Sequence, residues 1–401
     1  GLTVLLTENH QLPLCAISIS VKGGLRSESS EDNGISNFTA GAMLRGTGRY
    51  KKDEIVSIIE SLGAQISPYS GNNSFGFSAN FMKANFKDVS DLLAEILLNP
   101  SFPEEEVSML KNDTLAAIGL IKDDIFQYAN ISLRKNLFKD HPYGFTAQGT
   151  EASVSGITKD KLAQFHKKYC VAKNIVISIW GDINTKDALD NIKNNFKNMA
   201  EGELYKPPVI SIEPLSMRSQ IIEPMQRNQS VVMIGYRSVS LYDKDRYPLE
   251  ALSSLFSDGG GRLYSSIRQK EALAYTLGTF GMVGLDTGSF MFYAATTPNN
   301  AYHVKDAIMS EIKKVYDGEI TDEEINAAKK ILITNHQIKL QSNLGLAGQT
   351  ALDELYGLGY NNYLSYPDRV NAVSKKDIVA AARKYFKTNG CVIVITMPEN
   401  K

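Results

Sequence analysis

The chain is poor in the residues that staple a fold or hold a metal. Its 401 residues include only three cysteines, Cys15, Cys170 and Cys391, odd in number and far apart. That spacing excludes a disulfide framework and a Cys-x-x-Cys metal knuckle. All three stand beside apolar strand-like runs and read as buried thiols. Five histidines, His10, His141, His166, His303 and His336, are scattered. None has a neighbour at metal-ligand spacing on a helix or in a turn. Charge of either sign is not in surplus: 43 basic against 44 acidic residues leave a formal net charge of −1. With no long basic run, electrostatics give no reason to expect nucleic acid or an anionic membrane as partner. No apolar stretch is long enough to span a bilayer. There is no Gly-x-Ser-x-Gly elbow and no local cysteine–histidine signature. The glycine run Gly259–Gly261 lacks the lysine and Ser/Thr of a phosphate loop, and reads as a turn before a helix.

What is present is an ordinary globular composition, 43% hydrophobic and 22% charged. It supports a sizeable core and about two or three domains. The chain also repeats itself. Ser74-Phe-Gly-Phe-Ser-Ala-Asn is echoed by Ser289-Phe-Met-Phe-Tyr-Ala-Ala. Val89-Ser-Asp-Leu-Leu-Ala-Glu-Ile is echoed by Val304-Lys-Asp-Ala-Ile-Met-Ser-Glu-Ile. Glu105, Glu106 and Lys111 match Glu323, Glu324 and Lys329, and Thr158 with Tyr169 matches Ser374 with Tyr385. Four segments in one order at near-constant spacing imply two homologous domains, and the period is far too long for a solenoid. The expected division is an N-terminal domain over 1–205, a linker over 206–214 opened by Pro207-Pro208 and closed by Pro214, and a C-terminal domain over 215–401. The first residue, Gly1, is not methionine and already lies in a strand-like run, as after removal of a leader or trimming.

Alternation and β-branched content predict strands at 2–6, 16–21, 74–80 and 175–180 in the first half, and at 231–236, 289–294 and 392–396 in the second. Helical periodicity predicts helices at 52–62, 86–97, 103–121, 247–255, 302–316 and 322–341. The helix at 322 has a capping-box start, Thr321 with Glu324 three residues on. Glu104-Glu105-Glu106 after Pro103 reads as an acidic first turn. His141-Pro142-Tyr143-Gly144 reads as a structural turn. Few parallel crossovers among these strands point to α+β architecture: a mixed or antiparallel sheet in each domain, backed by helices.

Residues 34–47, Gly-Ile-Ser-Asn-Phe-Thr-Ala-Gly-Ala-Met-Leu-Arg-Gly-Thr, with Ser61-Leu62-Gly63-Ala64 further on, resemble the surroundings of the zinc site in the pitrilysin/insulinase family of zinc peptidases. In that family H-x-x-E-H on one helix supplies two zinc ligands and a general base. The matching positions here are Asn37, Ala40 and Gly41, and the family's third ligand, a glutamate on a later helix, falls on Ala117. The resemblance therefore implies a degenerate site: this chain binds no zinc and holds no catalytic residue of its own. It also implies the fold, two α+β halves each with a sheet backed by helices.

The second half keeps another family segment. Gly259-Gly-Gly-Arg-Leu-Tyr-Ser-Ser-Ile-Arg268-Gln-Lys-Glu-Ala-Leu-Ala-Tyr275 is similar to a run in which an arginine and a tyrosine, seven positions apart, hold substrate backbone and the tetrahedral intermediate beside zinc. Arginine offers a fixed fork of donors to a carbonyl or oxyanion, and a tyrosine hydroxyl adds another. The resemblance assigns substrate binding to Arg268 and Tyr275. Gly261 stands where the family commonly has serine, and Ala272 where it commonly has glycine.

The function implied is that of a noncatalytic subunit in a heterodimeric zinc metallopeptidase. A homologous zinc-bearing subunit would supply the metal, its ligands and the base, and peptides would be the substrates. The sequence names no compartment; the resemblance favours the bacterial periplasm and leaves the cytoplasm open. The alternative is a peptide-binding or scaffold protein of the same fold, as in the core subunits of respiratory complex III, alone or as a homodimer and without peptidase activity. A third reading, a self-sufficient peptidase with an unconventional metal site, has only the scattered histidines to draw on.

Overall fold

The computed structural model describes residues 1–398, apart from 209, 211, 213, 214, 216, 226, 258, 259 and 388. The linker expected over 206–214 therefore lies partly outside the described residues, as does Gly259. The chain divides into two compact units. Among the described residues ten strands form two five-stranded sheets, the two mixed α+β halves expected from the sequence.

The first sheet contains β1 (Thr3–Glu8), β2 (Leu14–Lys22), β3 (Gln65–Ser70), β4 (Ser74–Met82) and β5 (Ile175–Gly181), in the order β1-β5-β2-β4-β3. The second contains β6 (Ser219–Pro224), β7 (Ser230–Ser238), β8 (Thr276–Val283), β9 (Gly288–Thr296) and β10 (Val392–Met397), in the order β6-β10-β7-β9-β8. Among the described strands, only β1 with β5 and β6 with β10 run parallel. The remaining pairs are antiparallel. The same order and the same parallel pair in both sheets are what a duplicated sequence produces.

Both faces of each sheet are covered, and the period-two alternation of the central strands shows how. In β5, Ile175, Ile177 and Ile179 join the large core of the first unit. Val176, on the other face, packs against Ala351 and Leu355. The Ser178 hydroxyl is 2.8 Å from the Thr350 hydroxyl, and the Trp180 indole N–H donates to it at 3.2 Å. In β10, Ile393 and Ile395 face one core. Val392 and Val394 face Ala129, Leu133 and Leu137 in another.

The helix covering each second face comes from the opposite half of the sequence. Helix Asn343–Leu355 packs on β2 and β5, and helix Ile125–Phe138 packs on β7 and β10. The first unit accordingly comprises 1–119, 145–208 and 338–364; the second comprises 120–144, 209–337 and 365–401. Gly235 of β7 makes the second of these packings possible, because a Cβ there would lie 3.1 Å from Leu133.

Local signals read from the sequence reappear as contacts. Thr321 N–H donates to the Glu324 carboxylate at 2.8 Å, and Glu324 N–H donates to the Thr321 hydroxyl at 3.2 Å, closing the capping box. The turn at His141 is built from its own side chain. Tyr143 N–H donates to His141 Nδ1 at 3.1 Å, while His141 Nε2 lies 3.2 Å from Asp286. The three cysteines are buried and form no disulfide among the described residues. Burial pushes the Cys15 and Cys391 thiols up to about 11, and Cys170 also upward. They are packing groups with little thiolate character.

Candidate functional site

The degenerate zinc positions sit on two helices of the first unit. Helix Ile35–Met43 starts at Gly34, whose φ of 91° is left-handed. A Cβ there would come within 2.8 Å of Gly149, so only glycine fits. The exposed N–H groups of this helix start are taken by Glu28, a buried carboxylate. It accepts from Gly34 N–H at 2.7 Å, Ser36 N–H at 3.0 Å and the Asn33 amide at 2.9 Å. Burial pushes the Glu28 carboxyl up to about 7, against the pull of those donors.

On this helix Ala40 is buried, while Asn37 and Gly41 are half-buried. A Cβ at Gly41 would meet Leu110 at 3.6 Å, so an apolar side chain stands beside the position of the family's second histidine. Ala117 is exposed on the later helix, Glu104–Leu120. The two helices are tied by Arg45, which reaches Glu106 and Asp113 at 3.2 Å each. The donor set decides whether zinc fits here. Asn37 offers a neutral amide, and Ala40, Gly41 and Ala117 offer no donor at all. These residues do not fit a zinc ion. No cluster of three or more His, Cys, Asp or Glu able to hold a metal occurs among the described residues.

The arginine–tyrosine segment lies in the second unit. Gly260 and Gly261 lead into a helical stretch whose part from Tyr264 to Lys270 is π-wound. This wider winding is rare and is frequent at functional sites. Leu263 and Ile267 anchor it in the core. Arg262 fixes its start by a two-pronged ion pair to Glu324, at 2.7 and 2.8 Å. Arg268 projects outward, its guanidinium 5.3 Å from the Tyr264 ring centroid. The stretch closes at Ala272, whose φ of 51° is left-handed. Ala274 is buried, and Tyr275 N–H donates to Ala295 O at 3.0 Å at the start of β8. The Tyr275 side chain is 61% exposed.

Neither Arg268 nor Tyr275 has a side-chain hydrogen bond or ion pair among the described residues, so both sets of donors are free for a ligand. A pocket of about 560 Å³ lies beside the segment, lined by Gly260, Gly261, Arg262, Ser265 and Lys270. Arg268 and Tyr275 do not line it. Three features of the two sites were not legible in the sequence: the Glu28 cap at the degenerate zinc helix, and the π winding and the left-handed backbone of Ala272 in the arginine–tyrosine segment. The glycine expected at 272 was the one available hint of the last.

What these parts define is a peptidase-type chain in which the positions of the metal donors carry no imidazole or carboxylate. The chain belongs to the M16 family of peptidases. Residues 3–151 match the model of insulinase (peptidase family M16), and residues 156–332 match that of the M16 peptidase inactive domain. It is similar to an uncharacterized zinc protease of Rickettsia bellii, 24% identical over 98% of this chain and 95% of that protein. It is also similar to a protein of Helicobacter pylori named as a non-peptidase homolog, YmxG, 22% identical over 99% of this chain and 92% of that one. Among solved structures, the M16 peptidase inactive domain from Pseudomonas fluorescens superposes with a TM-score of 0.91 at 23% identity, over 100% of this chain and 97% of that one.

Proposed function

We propose that this chain is the noncatalytic subunit of a heterodimeric zinc metallopeptidase. A homologous zinc-bearing subunit holds the metal, its ligands and the general base. This chain contributes Arg268 and Tyr275, which bind the peptide backbone and stabilise the oxyanion formed at the partner's zinc. The observation that carries the reading is the contrast between the two sites. The zinc positions keep one neutral amide and no imidazole or carboxylate, yet the arginine and tyrosine stand exposed with unengaged donors. The division is physically sound, because a metal that activates water and donors that stabilise the oxyanion can come from separate chains.

The test is to reconstitute the pair with its zinc-bearing homologue and compare Arg268→Ala and Tyr275→Phe with the wild type. Both variants are expected to assemble normally. Each is expected to lose about 10²–10³ in turnover, the effect of one missing oxyanion donor. Unchanged turnover in both refutes the reading and favours the peptide-binding or scaffold alternative, to which the name of the Helicobacter pylori relative also points.

A further inference from the structure

The internal repeat places two buried glutamates at equivalent points. Glu95 on helix Phe86–Leu98 corresponds to Glu311 on helix Ala301–Asp317, each just before an isoleucine in the matched segments. They are 7% and 5% exposed. Each has an arginine near one carboxylate oxygen: Arg49 at 3.7 Å from Glu95 Oε2, and Arg262 at 4.0 Å from Glu311 Oε2.

The other oxygen is treated differently in the two halves. In the second, Lys314 puts its ammonium 2.6 Å from Glu311 Oε1. In the first, Asn99 donates to Glu95 Oε2 at 2.6 Å, and Glu95 Oε1 has no hydrogen-bond partner among the described residues. A buried carboxylate oxygen left bare is costly, and the second half shows that this fold supplies a cation to it.

Glu95 lines a cavity of about 610 Å³, a volume in the range of small-molecule sites. Arg49, Asn99, Lys167, Asn195 and Lys197 also line it. Lys167 and Lys197 form no ion pair among the described residues. The wall of the cavity thus holds a buried glutamate with one unpartnered oxygen, together with lysines that form no ion pair among the described residues. A polycation would meet those lysines and arginine as like charges. A ligand carrying an ammonium at one end and a carboxylate at the other satisfies both signs.

We propose that this cavity binds a small zwitterion, a free amino acid or a short peptide. Its ammonium takes at Glu95 the place that Lys314 takes at Glu311, and its carboxylate lies toward Lys167 and Lys197. The site is independent of Arg268 and Tyr275 and does not rest on the subunit reading above.

Titration calorimetry on the full chain, with glycine, triglycine, N-acetyl-triglycine and triglycinamide, tests it. Saturable binding of glycine or triglycine with a Kd of about 1 mM or below is expected, and the tighter of the two identifies the ligand class. Acetylating the amine is expected to weaken triglycine by about tenfold to a hundredfold, the effect of one charge-assisted hydrogen bond. Glu95→Gln is expected to do the same. Leu98→Lys places an ammonium three residues after Glu95, the spacing of Lys314 from Glu311, and is expected to abolish binding from within. It decides the matter if Glu95→Gln does not fold. No saturable binding of either parent ligand overturns the proposal. So does equal binding of the acetylated peptide, or undiminished binding by folded Leu98→Lys.

Discussion

Ala272→Gly should make this protein more stable, and the size of the gain is set by one dihedral angle. Ala272 ends the π-wound stretch with φ at 51°, and its N–H closes onto Arg268 O at 3.2 Å. A left-handed residue with a Cβ costs about 1–2 kcal/mol. Glycine removes that strain, and gives back about 0.5–1 kcal/mol through the freedom it adds to the unfolded chain. The side chain is exposed, so no packing is lost. The midpoints of the two ranges leave a net gain of about 0.75 kcal/mol. For a unit of roughly 190 residues this raises Tm by about 1–4 °C. Differential scanning calorimetry reads it directly. Ala274→Gly, two residues on at a buried position without positive φ, is the control and should lower Tm. A fall or no change in Tm for Ala272→Gly refutes the claim that the backbone is strained at the point that links Arg268 to Tyr275.

Leu133→Ala should cost about 2–5 kcal/mol by opening a cavity under helix Ile125–Phe138, since Leu133 is fully buried against β7. Hydrogen exchange should report the loss in β7 and β10 of the second unit, although Leu133 lies in the first half of the sequence. The pH dependence of folding should include His166. Its Nε2–H donates to Leu97 O at 2.7 Å, and burial holds the ring's pKa below its ordinary 6.5. The unfolded chain binds that proton more readily, so this contribution is present above about pH 6.5 and fades as pH falls below it. In His166→Gln, thermal melts should show a smaller loss of Tm between pH 7 and pH 5.

Much of the architecture was legible because its signals are local. The expected strands at 16–21, 175–180 and 392–396 have dense β-branched runs, and each is found as a central strand covered on both faces. Strands β3 and β8 were missed for a physical reason. Pro68 interrupts one, and Gly278 and Gly281 dilute the other, as edge strands tolerate. Helices Ile125–Phe138 and Asn343–Leu355 each belong to the unit built mainly from the other half of the sequence, and nothing in their own residues announces partners so distant along the chain. At the candidate site the residue types at 268 and 275 were readable, but their exposure was not. The bare oxygen of Glu95 depends on comparing two packed glutamates, which a linear sequence cannot display.

The most direct measurement is the cleavage of a quenched peptide by this chain alone, by the zinc-bearing homologue alone, and by the two together, with bound zinc quantified in each sample. Activity confined to the mixture, with zinc on the homologue only, is the predicted result. Stoichiometric zinc and turnover from this chain by itself would contradict the account.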